Sequence, residues 1–470
     1  MDRELFAEHL NHPRGRGRAP ADAFIGTAGG AACGDLVRMD LAIAGERVAG
    51  AGFEASGCGA ALAAASAAVT LVDGAPVLEA ARIGTREVAA ELGGLSPGKL
   101  HAAELAADAL HQALGAAAAA RAAVPADRER TLVAMSGGVD SAVAALLAAR
   151  SGRAVVCVTL ELWRDPANDA EASCCSASAV RLARSVAHRM GLAHLTLDLR
   201  EAFAAGVVAP FLAGYAAGRT PNPCVRCNGS VRLDAMLALA DRLGAADLAT
   251  GHYARVSADG LLRAAADPAK DQSYMLAALA PASLARLRFP LGELTKPEVR
   301  AHARAAGLPV ADKRESQDLC FLAGTGKAAF LARHGGLGAR PGTIVDRAGR
   351  TLGRHRGQHH FTVGQRKGLG IAAEEPLYVL AKDGDTVTVG PRAALATSAV
   401  ALRDAVLHRP AGEVDRVKLR YRARPLACRA EPEATGQITL RLAEPADGAA
   451  PGQVACLLRG DTVVGHGVIA

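Results

Sequence analysis

The chain has 470 residues, half of them apolar and only 3% aromatic, with 54 Lys+Arg against 47 Asp+Glu for a net charge of +7. Such a length calls for several domains with sizeable cores, and so mild a charge excludes neither a polyanionic partner nor an ordinary solvated surface. No run approaches the roughly 18 uncharged apolar residues of a membrane span. The acidic start, Met1-Asp-Arg-Glu-Leu-Phe, lacks the layout of a signal peptide, so the expected location is the cytoplasm. There, ten cysteines are expected as reduced thiols, metal ligands or redox catalysts rather than structural disulfides.

Residues 1–115 read as a compact α/β unit, with strand-like runs around Val48 to Phe53 and alanine-rich helical segments closing with Leu105 to Leu114. Residues 116–130, an alanine run followed by Val-Pro-Ala-Asp-Arg-Glu-Arg, read as a linker. A unit over 131–330 opens with a short buried strand, Thr131 to Met135, and a helix, Ser141 to Arg150. Strand Ala154 to Leu160, helix Ala177 to Met190 and strand His194 to Leu199 follow. This alternation predicts an α/β fold with a doubly wound parallel sheet. From about Pro341 short β runs separated by glycine turns, such as Thr386 to Gly390 and Gln437 to Leu442, predict two small β-barrel domains, 331–393 and 394–470. Basic residues crowd Arg340 to Lys367, where Asp346 is the only carboxylate, and again Arg416 to Arg424. Either stretch suits a nucleic-acid backbone as well as it suits solvent.

The sharpest motif is Ser136-Gly-Gly-Val-Asp-Ser141, set between the first strand and first helix of the predicted sheet. Glycines let the backbone approach a phosphate, helix-start amides donate to it, and Ser136 and Ser141 add hydroxyls. Asp140 is expected to order the loop or hold Mg2+. The Gly-Lys-Ser/Thr ending of a Walker loop is absent. The motif resembles that of the PP-loop ATP pyrophosphatases, which cleave ATP between the α- and β-phosphates and adenylate a carbonyl oxygen. That family includes enzymes that install nitrogen and enzymes that install sulfur.

Cysteines separate the two. Thr220-Pro-Asn-Pro-Cys224-Val-Arg-Cys227-Asn228 carries a C-x-x-C pair, and Gln317-Asp-Leu-Cys320-Phe321 supplies a third thiol. Three chemistries are open: a zinc site, which wants a fourth ligand; a redox pair, one thiolate carrying a persulfide and another resolving it; or three thiolates on a four-iron cluster. With Ala249-Thr-Gly-His-Tyr253, Lys270-Asp-Gln-Ser-Tyr274, Phe361-Thr-Val-Gly-Gln-Arg-Lys-Gly-Leu-Gly370 and Pro451-Gly-Gln453, these motifs resemble, in order, those of the tRNA-specific 2-thiouridylases (the MnmA family) over Arg130 to Ala470.

The resemblance implies ATP-dependent 2-thiolation of the wobble uridine of tRNA. It makes Cys227 the nucleophile and Cys320 the persulfide carrier, joined transiently in a disulfide. The implied ATP site is Ala134, Met135, Ser136, Gly137, Gly138, Val139, Asp140, Ser141, Leu160 and Gly251. Asn222, Pro223, Cys224, Lys270, Asp271, Gln272, Arg420 and Tyr421 would meet tRNA, with His252 and Gln453 sensing its docking. Many relatives have aspartate where this chain has Cys224, which keeps a cluster on Cys224, Cys227 and Cys320 open beside direct persulfide transfer. Tyr253, Tyr274 and Tyr421 are candidates to flank a splayed base, and Arg226 is a candidate to favour a thiolate.

Residues 1–115 resemble the iron–sulfur scaffold proteins of the NifU/IscU family, an α+β fold, through Cys33-Gly-Asp35, Phe53, Gly57-Cys58-Gly59, Glu91-Leu-Gly-Gly-Leu95 and Lys99-Leu-His101. Cys33, Asp35, Cys58 and His101 are the implied ligands for zinc or a nascent iron–sulfur cluster. Ala102 stands where that family has a further cysteine. The implied partner is a cysteine desulfurase or another sulfur-relay protein. A PP-loop amidating or adenylating synthetase, and a non-catalytic iron–sulfur carrier, are the competing functions. Cys157, Cys174, Cys175, Cys428 and Cys456 carry no assignment, Cys157 being expected in the core.

Overall fold

The computed structural model describes residues 2–29, 34–165, 176–314, 319–322, 324–433 and 436–470. Cys33, Cys174, Cys175 and the Gln317-Asp318 part of the Cys320 motif lie outside them.

After helix α1 (Arg3–Asn11), strands β1 (Phe24–Gly29), β2 (Leu36–Ala44) and β3 (Arg47–Ser56) form an antiparallel sheet in that order. Helices α2 (Gly59–Val72), α3 (Val77–Ala80), α4 (Thr85–Glu91) and α5 (Leu100–Arg121) complete the unit. In α2 and α5 alanines at full burial, among them Ala64, Ala68, Ala106 and Ala113, let helix backbones come close to the sheet.

The second sheet contains β4 (Asp127–Ala134), β5 (Ala154–Glu161), β6 (Ala193–Asp198), β7 (Ala245–Ala249) and the two-residue strand Leu287–Arg288. Its order is Leu287–Arg288, β7, β4, β5, β6, and every pairing is parallel. Helices α6 (Val139–Arg150) and α7 (Ala177–Arg189) make the first two crossovers. This is the expected doubly wound arrangement, with β4 flanked by strands added in opposite directions.

The stretch expected to be a linker is largely regular structure. Residues 116–121 are the last turns of α5, with Ala117 and Ala118 fully buried, and β4 already begins at Asp127. Alanine is the best helix former, so an alanine run is as good a helix end as a spacer. The helix also ties the two units together. A Cβ on Gly115 would stand 1.7 Å from the carbonyl oxygen of Thr196 in β6, so only glycine allows α5 to lie against that edge strand. Arg184 and Arg181 of α7 reach the Asp108 carboxylate of α5 beside it.

Beyond the parallel sheet, strands Gly342–Val345, Thr351–His355, Tyr378–Asp383 and Thr386–Gly390 form a four-stranded mixed sheet over Ile344, Val379, Val387 and Val389. Six strands between Ala396 and Ile469 then close into a barrel, because Ala396–Leu407 pairs with both Ile438–Asp447 and Thr462–Ile469. A short hairpin from the parallel-sheet unit extends the barrel sheet through Arg263 and Thr462. Among the described residues, no helix is long and apolar enough to cross a membrane.

Candidate functional site

Ser136–Ser141 leaves the C-terminal end of β4 and runs into α6. Gly137 takes φ +68°, a conformation that costs an L side chain about 1–2 kcal/mol. The Ser141 hydroxyl accepts from the Ser136 amide at 3.1 Å and donates to the Gly138 carbonyl at 3.1 Å, closing the loop on itself. Leu160 lies near the end of β5, and Gly251 just after β7, where its Cα packs against the Asp140–Ser141 backbone. Since β7, β4 and β5 are adjacent, three segments distant in sequence meet at one sheet edge. That edge, where strand order reverses, is where open α/β sheets bind ligands.

Asp140 is not an open carboxylate. Lys296 Nζ lies 2.7 and 2.8 Å from its two oxygens, and the Tyr253 hydroxyl donates to Oδ1 at 2.8 Å. Of the two roles expected of Asp140, ordering the loop is the one these contacts serve. Lys313 Nζ donates to the Gly137 carbonyl at 2.9 Å.

Cys224 and Cys227 sit on the one-turn helix Pro223–Cys227, which Asn222 caps by accepting from the amides of Cys224 and Val225. Cys227 is buried, and Cys224 and Cys320 are half-buried; all three are thiols. Arg226, next to Cys227, is spent on the Gly206 carbonyl. Phe321, next to Cys320, packs edge-on against Phe203 and Phe211. Both cysteine segments therefore rest on one helical stretch, 200–216. From Cys227 the chain continues through Asn228, whose amide donates to the Met275 carbonyl, to Arg232. Burial first, and the charge of Arg232 second, push His252 down to about 3. His252 adjoins Gly251, so the segment that follows the thiol-bearing turn reaches the neighbourhood of the sheet edge through Arg232. By contrast Cys157, Cys428 and Cys456 are buried and their thiols are pushed up by burial, Cys428 to about 11 and Cys456 to about 12. They are inert core.

The closed barrel docks on the same region. The Thr220 amide donates to the Pro451 carbonyl, and the Gln453 side chain donates to the Thr220 carbonyl, each at 2.8 Å. Tyr274 reaches the Val454 carbonyl at 2.7 Å. Asp271 accepts from Lys418 at 2.7 Å. Burial would raise this carboxyl, but the Lys418 and Ser273 contacts outweigh it and hold it low. Between the two units opens a cleft of about 270 Å³ with Asp271, Lys418, Tyr421 and Arg422 on its walls. Arg422 lies over the Tyr421 ring at 5.4 Å.

In the N-terminal unit, Asp35, Cys58 and His101 bring one ligand atom each within 4.8 Å of one another, the one such group of three among the described residues. Cys58 donates to Asp35 through its amide at 2.8 Å and its thiol at 3.1 Å, and His101 Nε2 is 3.3 Å from the same carboxylate. The Cys58 amide, then its thiol, are the main causes holding the Asp35 carboxyl low. Gly57 is required here, since a Cβ would fall 2.0 Å from Asp35 Oδ1. Sulfur, oxygen and nitrogen donors so disposed fit a zinc or iron ion; the fourth expected ligand, Cys33, lies outside the described residues. Ala102 points into the core, fully buried.

Four family models match in sequence: NifU-like N terminal domain over 2–122, tRNA methyl transferase HUP domain over 129–324, tRNA methyl transferase PRC-barrel domain over 328–390, and aminomethyltransferase beta-barrel domain over 408–469. The bifunctional protein NifU/MnmA of Rubrobacter xylanophilus is 44% identical across 98% of this chain and 97% of its own. The chain belongs to the NifU/MnmA family. The tRNA-specific 2-thiouridylase MnmA of Xanthobacter autotrophicus is 47% identical over 71% of this chain and 89% of its own. Among solved structures, an iron–sulfur cluster assembly scaffold protein from Fervidobacterium islandicum matches 24% of the chain (16% identity, TM-score 0.21), and NMN synthetase from Francisella tularensis 40% (20% identity, TM-score 0.26).

For this NifU/MnmA chain the expected loop residues, Leu160 and Gly251 come together, whereas several expected tRNA contacts have structural occupations. Asn222 caps a helix, Gln272 accepts from the Tyr253 amide, and Asp271 is held by Lys418. Lys270, Arg420 and Tyr421 keep exposed surface. Tyr253 and Tyr274 are not available to flank a base: both are buried, one on Asp140 and the other against the barrel. Sequence reasoning missed Lys296 and Lys313. The one local signal for Lys296 was the Thr295–Glu298 capping box, which marks it as a helix start.

Proposed function

We propose that this chain thiolates the wobble uridine of tRNA at C2, at the expense of ATP. The observation that supports the reading is the meeting of the 136–141 loop, Leu160 and Gly251 at one sheet edge. The names of the relatives support it: they act on tRNA as 2-thiouridylases. A wobble base turned out of the anticodon stack enters the cleft. Its C2 oxygen attacks the α-phosphorus of ATP, the bond to the β-phosphate breaks with its electron pair leaving on pyrophosphate, and the N3 proton passes to solvent. The terminal sulfur of a Cys320 persulfide then attacks C2. AMP departs, and the Cys227 thiolate attacks Cys320 Sγ, which frees the thiocarbonyl as N3 takes a proton back from solvent, and leaves a Cys227–Cys320 disulfide for a dithiol to reduce.

Persulfide transfer is the first reading, with Cys227 and Cys320 both present as thiols. A cluster on Cys224, Cys227 and Cys320 is the second reading, motivated by Cys224. Exposed arginines such as Arg347, Arg354 and Arg420 meet tRNA phosphates, so binding weakens steeply with salt. His252 and Gln453 sense docking. The NifU-like unit holds a metal ion on Cys33, Asp35, Cys58 and His101, and receives sulfur from a cysteine desulfurase; fusion keeps supply near use. Radiolabelled sulfur transfer to tRNA, with AMP and pyrophosphate counted, is the test. Cys227→Ser and Cys320→Ser must each abolish labelling, and a variant that labels at the parent rate refutes the scheme. Iron and sulfide analysis of anaerobically purified Cys224→Ala protein decides the second reading.

A further inference from the structure

The 136–141 loop contains no cation, although the reaction proposed above releases pyrophosphate, its most highly charged product. Walker loops carry a lysine within their own sequence. This chain brings two lysines from a single distant segment. Lys296 opens the helix Lys296–Ala305, is only 8% exposed, and holds both Asp140 oxygens. Lys313 lies beyond that helix, is exposed along its stem, and sets its ammonium on the Gly137 carbonyl. One lysine thus stands at each end of the glycine turn.

The Lys313 contact does not by itself call for a cation. The Gly137 carbonyl is a neutral acceptor that water would satisfy. Asp140 lies in the first turn of α6, where its charge would repel a phosphate drawn to the helix start. Lys296 cancels that repulsion, and a bound polyphosphate would give the ammonium stronger acceptors within reach of its flexible stem. We infer that Lys296 and Lys313 bind the β- and γ-phosphate oxygens of ATP and hold pyrophosphate as it departs. The assignment rests on the ATP reading above and adds to it the groups that receive the leaving charge.

Calorimetric titration of the full chain with ATP, pyrophosphate and AMP, without tRNA, separates this role from a structural one. Lys313→Met, at an exposed position, keeps the fold. It weakens pyrophosphate and ATP about tenfold or more, the worth of one charge-assisted hydrogen bond, while AMP stays within about twofold. Lys296→Met does the same, and Lys296→Arg restores much of the affinity. Unchanged pyrophosphate affinity in Lys313→Met overturns the assignment, as does AMP affinity falling in step with ATP. Wild-type chain that binds none of the three sinks the ATP reading and this inference together, whereas normal nucleotide binding with unaffected lysine variants sinks the inference alone.

Discussion

Asp108→Ala is the most informative perturbation of the junction between the NifU-like unit and the parallel sheet. The Asp108 side chain is 12% exposed and that of its partner Arg184 5%, so the pair is withdrawn from water. Its second partner, Arg181, is 38% exposed and contributes at most about 1 kcal/mol. Removing the carboxylate strands the Arg184 charge in the seam, which costs about 3–5 kcal/mol. The better helix propensity of alanine returns about 0.5 kcal/mol. Hydrogen exchange of the buried α5 amides around Ala106 to Leu114 should therefore accelerate about 100-fold or more. Asp108→Leu with Arg184→Met, which removes both charges, should exchange close to wild type, and Arg181→Met should change little. Exchange in Asp108→Ala within about threefold of the parent would refute the reasoning.

Four further outcomes are expected. Gly137→Ala must hold φ +68° and meet the Ala179 carbonyl at 2.9 Å; nucleotide affinity should fall about tenfold, matching a strain of about 1–2 kcal/mol, with the circular dichroism spectrum retained. Tyr274→Phe leaves the Val454 carbonyl unpaired in a buried seam, costing about 1–3 kcal/mol, visible as faster proteolytic release of the C-terminal barrel. His111, His188 and His194 pack ring to ring at the α5 seam, and burial first, with Arg184, lowers His111 and His194 far below 6.5. The unfolded chain takes up these protons first, so stability is full above pH 6.5 and declines as pH falls toward the depressed folded values; urea midpoints should drop between pH 7 and 5, less so in His111→Leu. Zinc analysis of purified chain should find one ion per molecule, lost in Asp35→Ala and in Cys58→Ala.

Much of the site was legible in the sequence because its signals are local. A strand, two glycines and a helix start give the pattern of a phosphate loop over Ser136 to Ser141, and strand–helix alternation placed that loop on a parallel sheet. The Pro-Asn-Pro-Cys turn likewise announces itself. Alanine blurred the rest: one composition served equally for linker and for the end of α5, and burial alone separated them. Tyrosine was ambiguous in the same way, since nothing local tells a ring that stacks on a base from one sealed beneath a barrel.

What only the tertiary structure decided is which distant groups complete the loop. Tyr253 and Lys296 lie 113 and 156 residues from Asp140 along the chain, yet share one hydrogen-bonded cluster with it. Their meeting depends on β7 pairing with β4, and on the Leu287–Arg288 strand pairing with β7, so that the turn after β7 and the helix after that short strand arrive beside α6. Local propensity fixes each turn and helix, whereas strand order is a global property set by how all the apolar faces are buried at once. The charges that neutralise the loop follow from that order, and no window of neighbouring residues contains it.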